Sequence, residues 1–249
     1  MNRTKSSEAI VLSQKATGEN NTLVTLLTPS DGIVMATLYG GPKSRLRSYI
    51  TLWNHGIVWL YDNPQKNQVK ITDFEVRKYH ATFSENLFKF YAASLAAEIS
   101  IKTRAAGTPS SCFHLVGGFF DGMDLCGEEQ SRLGLLRFLW RFLELLGVQP
   151  SSHCCGMCGK SFLDTDTKKS YYNVGENNFI CQDCGEGSFE LSGASLQYLA
   201  ALSVLPPAQA RKMQIDERGF EQIKQVIFFL IESSIDQKLN SIESGRGIL

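Results

Sequence analysis

Residues 22–39, TLVTLLTPSDGIVMATLY, contain two short runs rich in β-branched and other apolar residues. The first run covers residues 22–27 and the second covers residues 33–39, and the segment 29–32 between them consists of residues typical of tight turns. The stretch therefore predicts two antiparallel strands joined by a short turn.

Three similar runs lie in the same part of the chain, at residues 9–12, 57–61 and 69–76. In the last of them Phe74 and Val76 alternate with charged residues, which is the two-residue period of a half-buried strand. Five short strands are the number found in a small closed barrel of the oligonucleotide-binding (OB) kind, and an SH3-like barrel has the same number. The strand pattern alone does not distinguish between these two types of barrel.

After residue 83 the period of the apolar residues changes from two to 3.6, which predicts helices. Four helices are expected, one starting near Ser84 and the others over residues 128–146, 195–205 and 220–239. The sequence thus predicts an α+β chain with a barrel over residues 1–80 and a helical domain over residues 81–249. A non-helical insert interrupts this domain at about residues 151–190.

The insert contains two C-x-x-C-G motifs separated by 22 residues, formed by Cys155, Cys158, Cys181 and Cys184. A two-residue spacer lets both thiolates of a motif reach one ion, and the glycine after the second cysteine permits a tight reversal. With candidate strands at 171–172 and 179–180, the pattern predicts a zinc ribbon that binds one structural Zn²⁺. His153 and Cys154 could replace Cys155 as ligands, although Cys155 has the better spacing.

A catalytic role finds no support in the motifs. Four thiolates would close the coordination shell of the ion, whereas a metalloenzyme needs an open position. Nucleotide-binding and nucleophile motifs are absent from the sequence, so we expect no enzyme activity. We expect Cys112 and Cys126 to be buried thiols on helices, and His80 and His114 to be structural or surface residues.

The charges of the chain balance overall but are unevenly distributed. The whole chain has 25 basic and 25 acidic side chains, whereas residues 1–80 have ten Lys or Arg against six Asp or Glu. An odd number of cysteines, seven, argues against a disulfide framework, and we find neither a signal sequence nor a run of apolar residues long enough to span a membrane. These features predict a cytoplasmic protein.

A basic loop follows the third predicted strand. Lys43, Arg45 and Arg47 alternate with other residues, so in an extended loop they would point the same way. Five aromatic residues that could stack on the bases of a single strand follow closely, namely Tyr49, Trp53, His55, Trp59 and Tyr61. The alternative for Trp53 and Trp59 is that they fill the barrel.

Several segments together resemble the RecO family of bacterial recombination mediators. They are residues 8–12, 18–19, 26–28 and 39–45, followed by the helical region, the paired C-x-x-C motifs and residues 238–241. The resemblance implies an OB barrel and then an α-helical domain interrupted by a zinc ribbon.

The resemblance also implies a function. Members bind single- and double-stranded DNA, anneal complementary strands and, with RecR, help RecA replace single-stranded-DNA-binding protein (SSB), whose C-terminal tail is a further partner. The implied location is the nucleoid. A protein-interaction adaptor without DNA binding of its own is the alternative.

The DNA-binding residues are inferred by position. Lys43, Arg45 and Arg47 match the family's basic loop. Family members often have a denser arginine cluster after the third strand. At that place, residues 38–42 of this chain are LYGGP, without arginine. Four further cations are therefore expected to share the task, namely Lys66, Lys70, Arg77 and Lys78.

Overall fold

The computed structural model describes residues 4–18, 20–40, 44–66, 68–162 and 169–249. Two compact units are present. The first combines residues 1–132 with residues 237–249, and the second covers residues 133–236.

The first unit contains a closed barrel of five strands. They are β1 (Thr4–Thr17), β2 (Asn21–Thr28), β3 (Gly32–Leu38), β4 (His55–Asn63) and β5 (Gln68–Lys78). Their order around the barrel is β1-β2-β3-β5-β4, with β3 and β5 parallel and the other neighbours antiparallel. The barrel confirms the predicted OB-type architecture, and every strand runs beyond the predicted segment at one end or both.

Strand β1 closes the barrel because it pairs with two neighbours. Its first half pairs with β4 and its second half pairs with β2. A bulge between Val11 and Ser13 shifts the register where the two halves meet, and such a bulge bends a strand and increases its local twist.

Alternating side chains fill the barrel. Eleven buried residues form its core, among them Val11, Leu26, Leu38, Leu60 and Phe74. Inward side chains alternate with outward ones along each strand because successive residues point to opposite faces. The apolar runs that predicted the strands therefore provide most of the buried side chains of this core.

The two tryptophans are not part of this core. Trp53 is 6% exposed and packs against Phe83 and Phe90, with ring centroids 5.7 and 5.2 Å away. Trp59 is half-buried and alternates with the buried Val58 and Leu60, which places it on the outer face of the barrel. The alternative that these tryptophans fill the barrel is therefore wrong.

Helices α2 (Leu87–Lys102), α3 (Pro109–Asp124) and α8 (Asn240–Ser244) complete the first unit. Helix α2 begins later than predicted because the side chain of Asn86 caps it, accepting the N–H of Lys89. Cys112 is buried in α3, where burial raises its pKa to about 11. Cys126 is only half-buried, because it follows the end of α3, so the prediction of a buried helical thiol is wrong there.

The second unit consists of helices and a small sheet. Helix α4 (Glu128–Leu146), which begins in the first unit, has the predicted bounds. Helices α5 (Gly193–Val204), α6 (Pro207–Ala210) and α7 (Glu217–Ser234) follow. The predicted helix over 220–239 ends early, at Ser234, and α8 is separate from it. None of the helices in the described part of the chain is long and apolar enough to cross a membrane.

The insert forms a three-stranded antiparallel sheet in the order β7-β6-β8. Its strands are β6 (Lys169–Asn173), β7 (Asn178–Cys181) and β8 (Phe189–Ser192). The first two confirm the predicted strands, and β8 was not predicted. The buried Tyr172 anchors the sheet, since its ring lies 5.5 Å from that of Phe179 and 6.0 Å from that of Phe229 on α7.

Candidate metal centre and nucleic-acid interface

The two C-x-x-C motifs come together at one end of the small sheet. The sulfurs of Cys155, Cys158, Cys181 and Cys184 all lie within 4.8 Å of one another. The Sγ–Sγ distances are 3.8 Å from Cys155 to Cys184 and 3.6 Å from Cys181 to either Cys158 or Cys184. A tetrahedron of thiolates around zinc has edges of about 3.8 Å, given a zinc–sulfur distance of about 2.3 Å. The four cysteines therefore fit a metal ion.

The backbone fixes this arrangement. The N–H of Gly156 donates to the carbonyl oxygen of Phe179 at 2.9 Å, which holds the first motif against β7. Cys181 ends β7, and its N–H donates to Sγ of Cys155 at 3.3 Å. The glycines after the motifs have φ of +73° at Gly159 and +131° at Gly185, a region that favours glycine.

The electrostatics of the cluster favour a cation. Burial opposes the ionisation of Cys155, but the N–H groups of Cys158, Cys181 and Met157 outweigh it and lower its pKa to about 6. The neighbouring thiols of Cys158 and Cys181 raise the pKa of Cys184. A positive ion would stabilise all four thiolates together.

The alternative ligands lie outside the cluster. Cys154 pairs through its backbone with Ser161, and its Sγ lies 3.8 Å from Oγ of Ser151. The carbonyl oxygen of His153 accepts the N–H of Phe162. Among the described residues the grouped sulfurs are those of the C-x-x-C motifs.

From residue 45 onwards, the predicted basic loop is helical rather than extended. Residues Arg45–Tyr49 form a short helix, α1, because Leu46 and Tyr49, three residues apart, both pack against the barrel core. Arg45 and Arg47 are two residues apart and lie about 200° apart around the axis. The prediction that the cations of an extended loop point the same way is therefore wrong for Arg45 and Arg47. Lys43 and the side chain of Lys66 lie outside the described residues.

Each arginine of α1 has a neutral partner. Nε of Arg45 donates to the hydroxyl of Tyr49 at 2.9 Å, and this bond raises the pKa of the guanidinium. Nη2 of Arg47 donates to Oγ1 of Thr22 on β2 at 2.7 Å. Neither side chain has a carboxylate partner among the described residues.

Lys70 lies at the same end of the barrel. It pairs with Thr37 on β3 and with Tyr61 on β4, and its Nζ lies 4.8 Å from the centroid of the Tyr39 ring. The next residue of β3, Leu38, pairs with Thr22, the partner of Arg47. These pairings place Lys70 and Thr22, the partner of Arg47, on the two strands that flank the end of β3.

The opposite end of the barrel is neutralised. Arg77 forms an ion pair with Glu75 at 3.1 Å, and Lys78 forms one with Asp121 of α3. Nε2 of the buried His80 also lies 3.2 Å from Asp121. Burial raises the pKa of Asp121, but its bonds to Lys78 and His80 outweigh this and lower it. The predicted cations that the structure describes are thus divided between a free end of the barrel, without carboxylate partners, and a paired end.

The sequence analysis assigned no binding role to Tyr39, which ends a predicted strand and begins one of the segments of the family resemblance. Tyr39 lies immediately after β3 and is 40% exposed, and the ammonium of Lys70 lies over its ring. An aromatic residue at the end of a strand and just before a glycine was the signal available. His55, in contrast, packs against Phe113 of α3, where burial lowers its pKa.

Family models match both parts of the chain. The model of the recombination protein O N terminal matches residues 1–80, and that of the recombination protein O C terminal matches residues 84–243. The chain belongs to the RecO family. The resemblance inferred from the sequence is thereby confirmed.

Three relatives of this RecO chain carry the name DNA repair protein RecO. That of Syntrophobacter fumaroxidans is 29% identical over 182 residues, which cover 73% of this chain and 71% of the relative. The Moorella thermoacetica protein is 23% identical over 240 residues, covering 94% and 88%. The Syntrophotalea carbinolica protein is 25% identical over 250 residues, covering 95% and 92%. The likeness thus extends over most of each chain.

Proposed function

We propose that this RecO chain is a DNA-binding recombination mediator without catalytic activity. One observation carries the proposal. Arg45, Arg47 and Lys70 lie together at one end of an OB barrel, and none of them is paired with a carboxylate among the described residues. OB folds bind oligonucleotides on the face of strands 2 and 3 and the adjoining loops. Arg47 contacts Thr22 on β2 and Lys70 contacts Tyr39 directly after β3, so these cations adjoin this region.

The mechanism is electrostatic. The cations neutralise phosphates and release counterions, which favours binding without regard to sequence. Two complementary strands whose charges are reduced on the same protein can approach and pair, so annealing needs no nucleotide hydrolysis. We also assign Lys43 and Lys66 to DNA binding from their places in the sequence, just before α1 and in the segment between β4 and β5. Arg77 and Lys78 contribute less because carboxylates already hold them.

The four cysteines would hold one structural zinc ion. Bound zinc neutralises the thiolates and joins the two motifs, and four sulfurs leave no position for water. Cys155, Cys158, Cys181 and Cys184 therefore brace the ribbon and take no part in DNA chemistry.

Family membership supports the remaining partners. We assign DNA binding to the barrel over residues 1–80 and protein contacts to the helical domain over residues 81–249. The partners are RecR and the C-terminal tail of SSB, and the outcome is loading of RecA on SSB-coated DNA. A role in the nucleoid follows from these partners.

The test is DNA binding and strand annealing by the purified full-length chain over a salt series. Contact with four to six phosphates of a single strand predicts a slope of about −3 to −4 for log affinity against log salt concentration. Annealing should decline over the same salt range. Oligonucleotides that do not bind even in dilute buffer would overturn the proposal and favour an adaptor whose partner holds the DNA.

A further inference from the structure

We propose that Tyr39 is a base-stacking platform that makes the barrel prefer unpaired strands over duplex DNA. The inference rests on the proposed function and assigns a specificity-determining residue to it. It concerns the same end of the barrel but a different kind of contact, made to a base rather than to a phosphate.

The position of the ring supports this role. Tyr39 directly follows β3, and 40% of its surface is exposed. Nζ of Lys70 lies 4.8 Å from the ring centroid, within the range of a cation–π contact. This contact favours one orientation of the ring, and the exposed part of the ring remains accessible to a ligand.

The neighbouring charges would bring a strand to this ring. Lys70 contacts the ring itself, and Arg47 contacts Thr22, which pairs with Leu38, the residue before Tyr39. Because neither cation has a carboxylate partner in the described part of the chain, both can contact phosphates on either side of a stacked base. A cationic groove with an aromatic platform is the usual arrangement for binding a single strand.

Stacking distinguishes single strands from duplex, whereas charge does not. The bases of a duplex are covered by their neighbours and by pairing, so an aromatic side chain gains contact only by unstacking them. Phosphates are accessible in both forms. Arg47 and Lys70 should therefore support both ligands, and Tyr39 should support the single strand alone.

Three other aromatic residues near the barrel are less suited to this role. Tyr49 packs partly against the core and holds Arg45 through its hydroxyl, and Trp53 is buried. Tyr79 is 56% exposed, but it follows β5 at the neutralised end, next to Lys78. Tyr79 thus provides a matched control, a similarly exposed ring without free cations.

The experiment measures the affinity of full-length variants for a fluorescent single strand and for a duplex of the same length. Tyr39→Ala should weaken single-strand binding by about 5- to 150-fold, the range measured for loss of one stacked base. Duplex affinity should stay unchanged. Tyr39→Phe, which keeps the ring, and Tyr79→Ala should both resemble the wild type with either ligand.

Two results would overturn the inference while leaving the proposed function intact. One is a Tyr39→Ala protein with unchanged single-strand affinity, and the other is an equal loss for both ligands. If Tyr39→Ala does not fold, Tyr39→Leu, which keeps apolar bulk without an aromatic face, decides by the same ratio of affinities. A wild-type chain that binds neither ligand would instead overturn the proposed function, and this inference with it.

Discussion

The ribbon and the barrel are both small β-structures, yet they are stabilised differently. The barrel surrounds eleven buried residues. The ribbon has strands of only five, four and four residues and brings four thiols together at its end. We expect an ion to hold the ribbon and apolar packing to hold the barrel. Loss of a metal ligand should therefore destabilise only the ribbon. Loss of a surface cation should weaken only DNA binding by the barrel.

The largest effect should come from breaking the cysteine cluster. Cys181→Ser/Cys184→Ser removes two ligands, and binding of structural zinc contributes on the order of 10–16 kcal/mol in zinc-finger peptides. The double variant should lose zinc, measured by metal analysis, and its ribbon should become sensitive to limited proteolysis. The barrel should stay resistant.

Cys154→Ser is the matched control, because this thiol adjoins the first motif but lies outside the cluster. It should keep one zinc ion per chain. Zinc loss in this control, or full zinc content in the double variant, would contradict the assignment of the ligands.

A smaller effect is expected at the free end of the barrel. Arg45→Gln/Arg47→Gln/Lys70→Gln should weaken single-strand binding by about 100-fold at 0.1 M salt and reduce the salt slope by about 2, given three lost phosphate contacts. Fluorescence anisotropy over a salt series measures both values. The zinc content should not change, since the substituted residues are remote from the ribbon in sequence and belong to the other unit.

The paired end provides the control for this variant. Arg77→Gln/Lys78→Gln removes two cations that Glu75 and Asp121 already neutralise, so DNA affinity should change little. An equal loss of affinity in both variants would show that pairing with carboxylates does not divide the barrel into two functional ends.

The smallest effect concerns Asp121. Folding lowers the pKa of its carboxyl group, so the ionised group stabilises the folded state. This stabilisation is fully present above the pKa that the group has in the unfolded chain, and it is lost as the pH falls through the pKa of the folded state. Asp121→Asn should therefore destabilise the protein by about 0.5–1 kcal/mol at pH 7, since the carboxylate is partly exposed. The difference should shrink as the pH falls below about 4.

Urea denaturation at pH 7 and near pH 3 measures the effect. A difference that grows towards low pH would mean that the carboxylate is not stabilised by Lys78 and His80.

The sequence predicted those features that depend on local pattern. The apolar runs located all five strands, and the helical period located α4, because burial of one face imposes a fixed spacing of residues. The four cysteines were found by their spacing, since two motifs must present sulfurs to one point.

Features that depend on distant partners were not predictable. The carboxylate that neutralises Lys78 lies 43 residues away, on α3. Helix α1 forms because Leu46 and Tyr49 meet the barrel core, and no periodic run of residues that short predicts a helix. The proposed role of Tyr39 depends on the contact of its ring with Lys70 of β5, a residue distant in the sequence.

The bulge in β1 has a consequence for evolution and for engineering. Leu12 is the extra residue of this bulge, so deleting it would keep the flanking pairs in register but remove the bend of the strand that pairs with both β4 and β2. The turn between β1 and β2 imposes no such constraint. Changes of chain length should accumulate in that turn and be excluded from the middle of the strand.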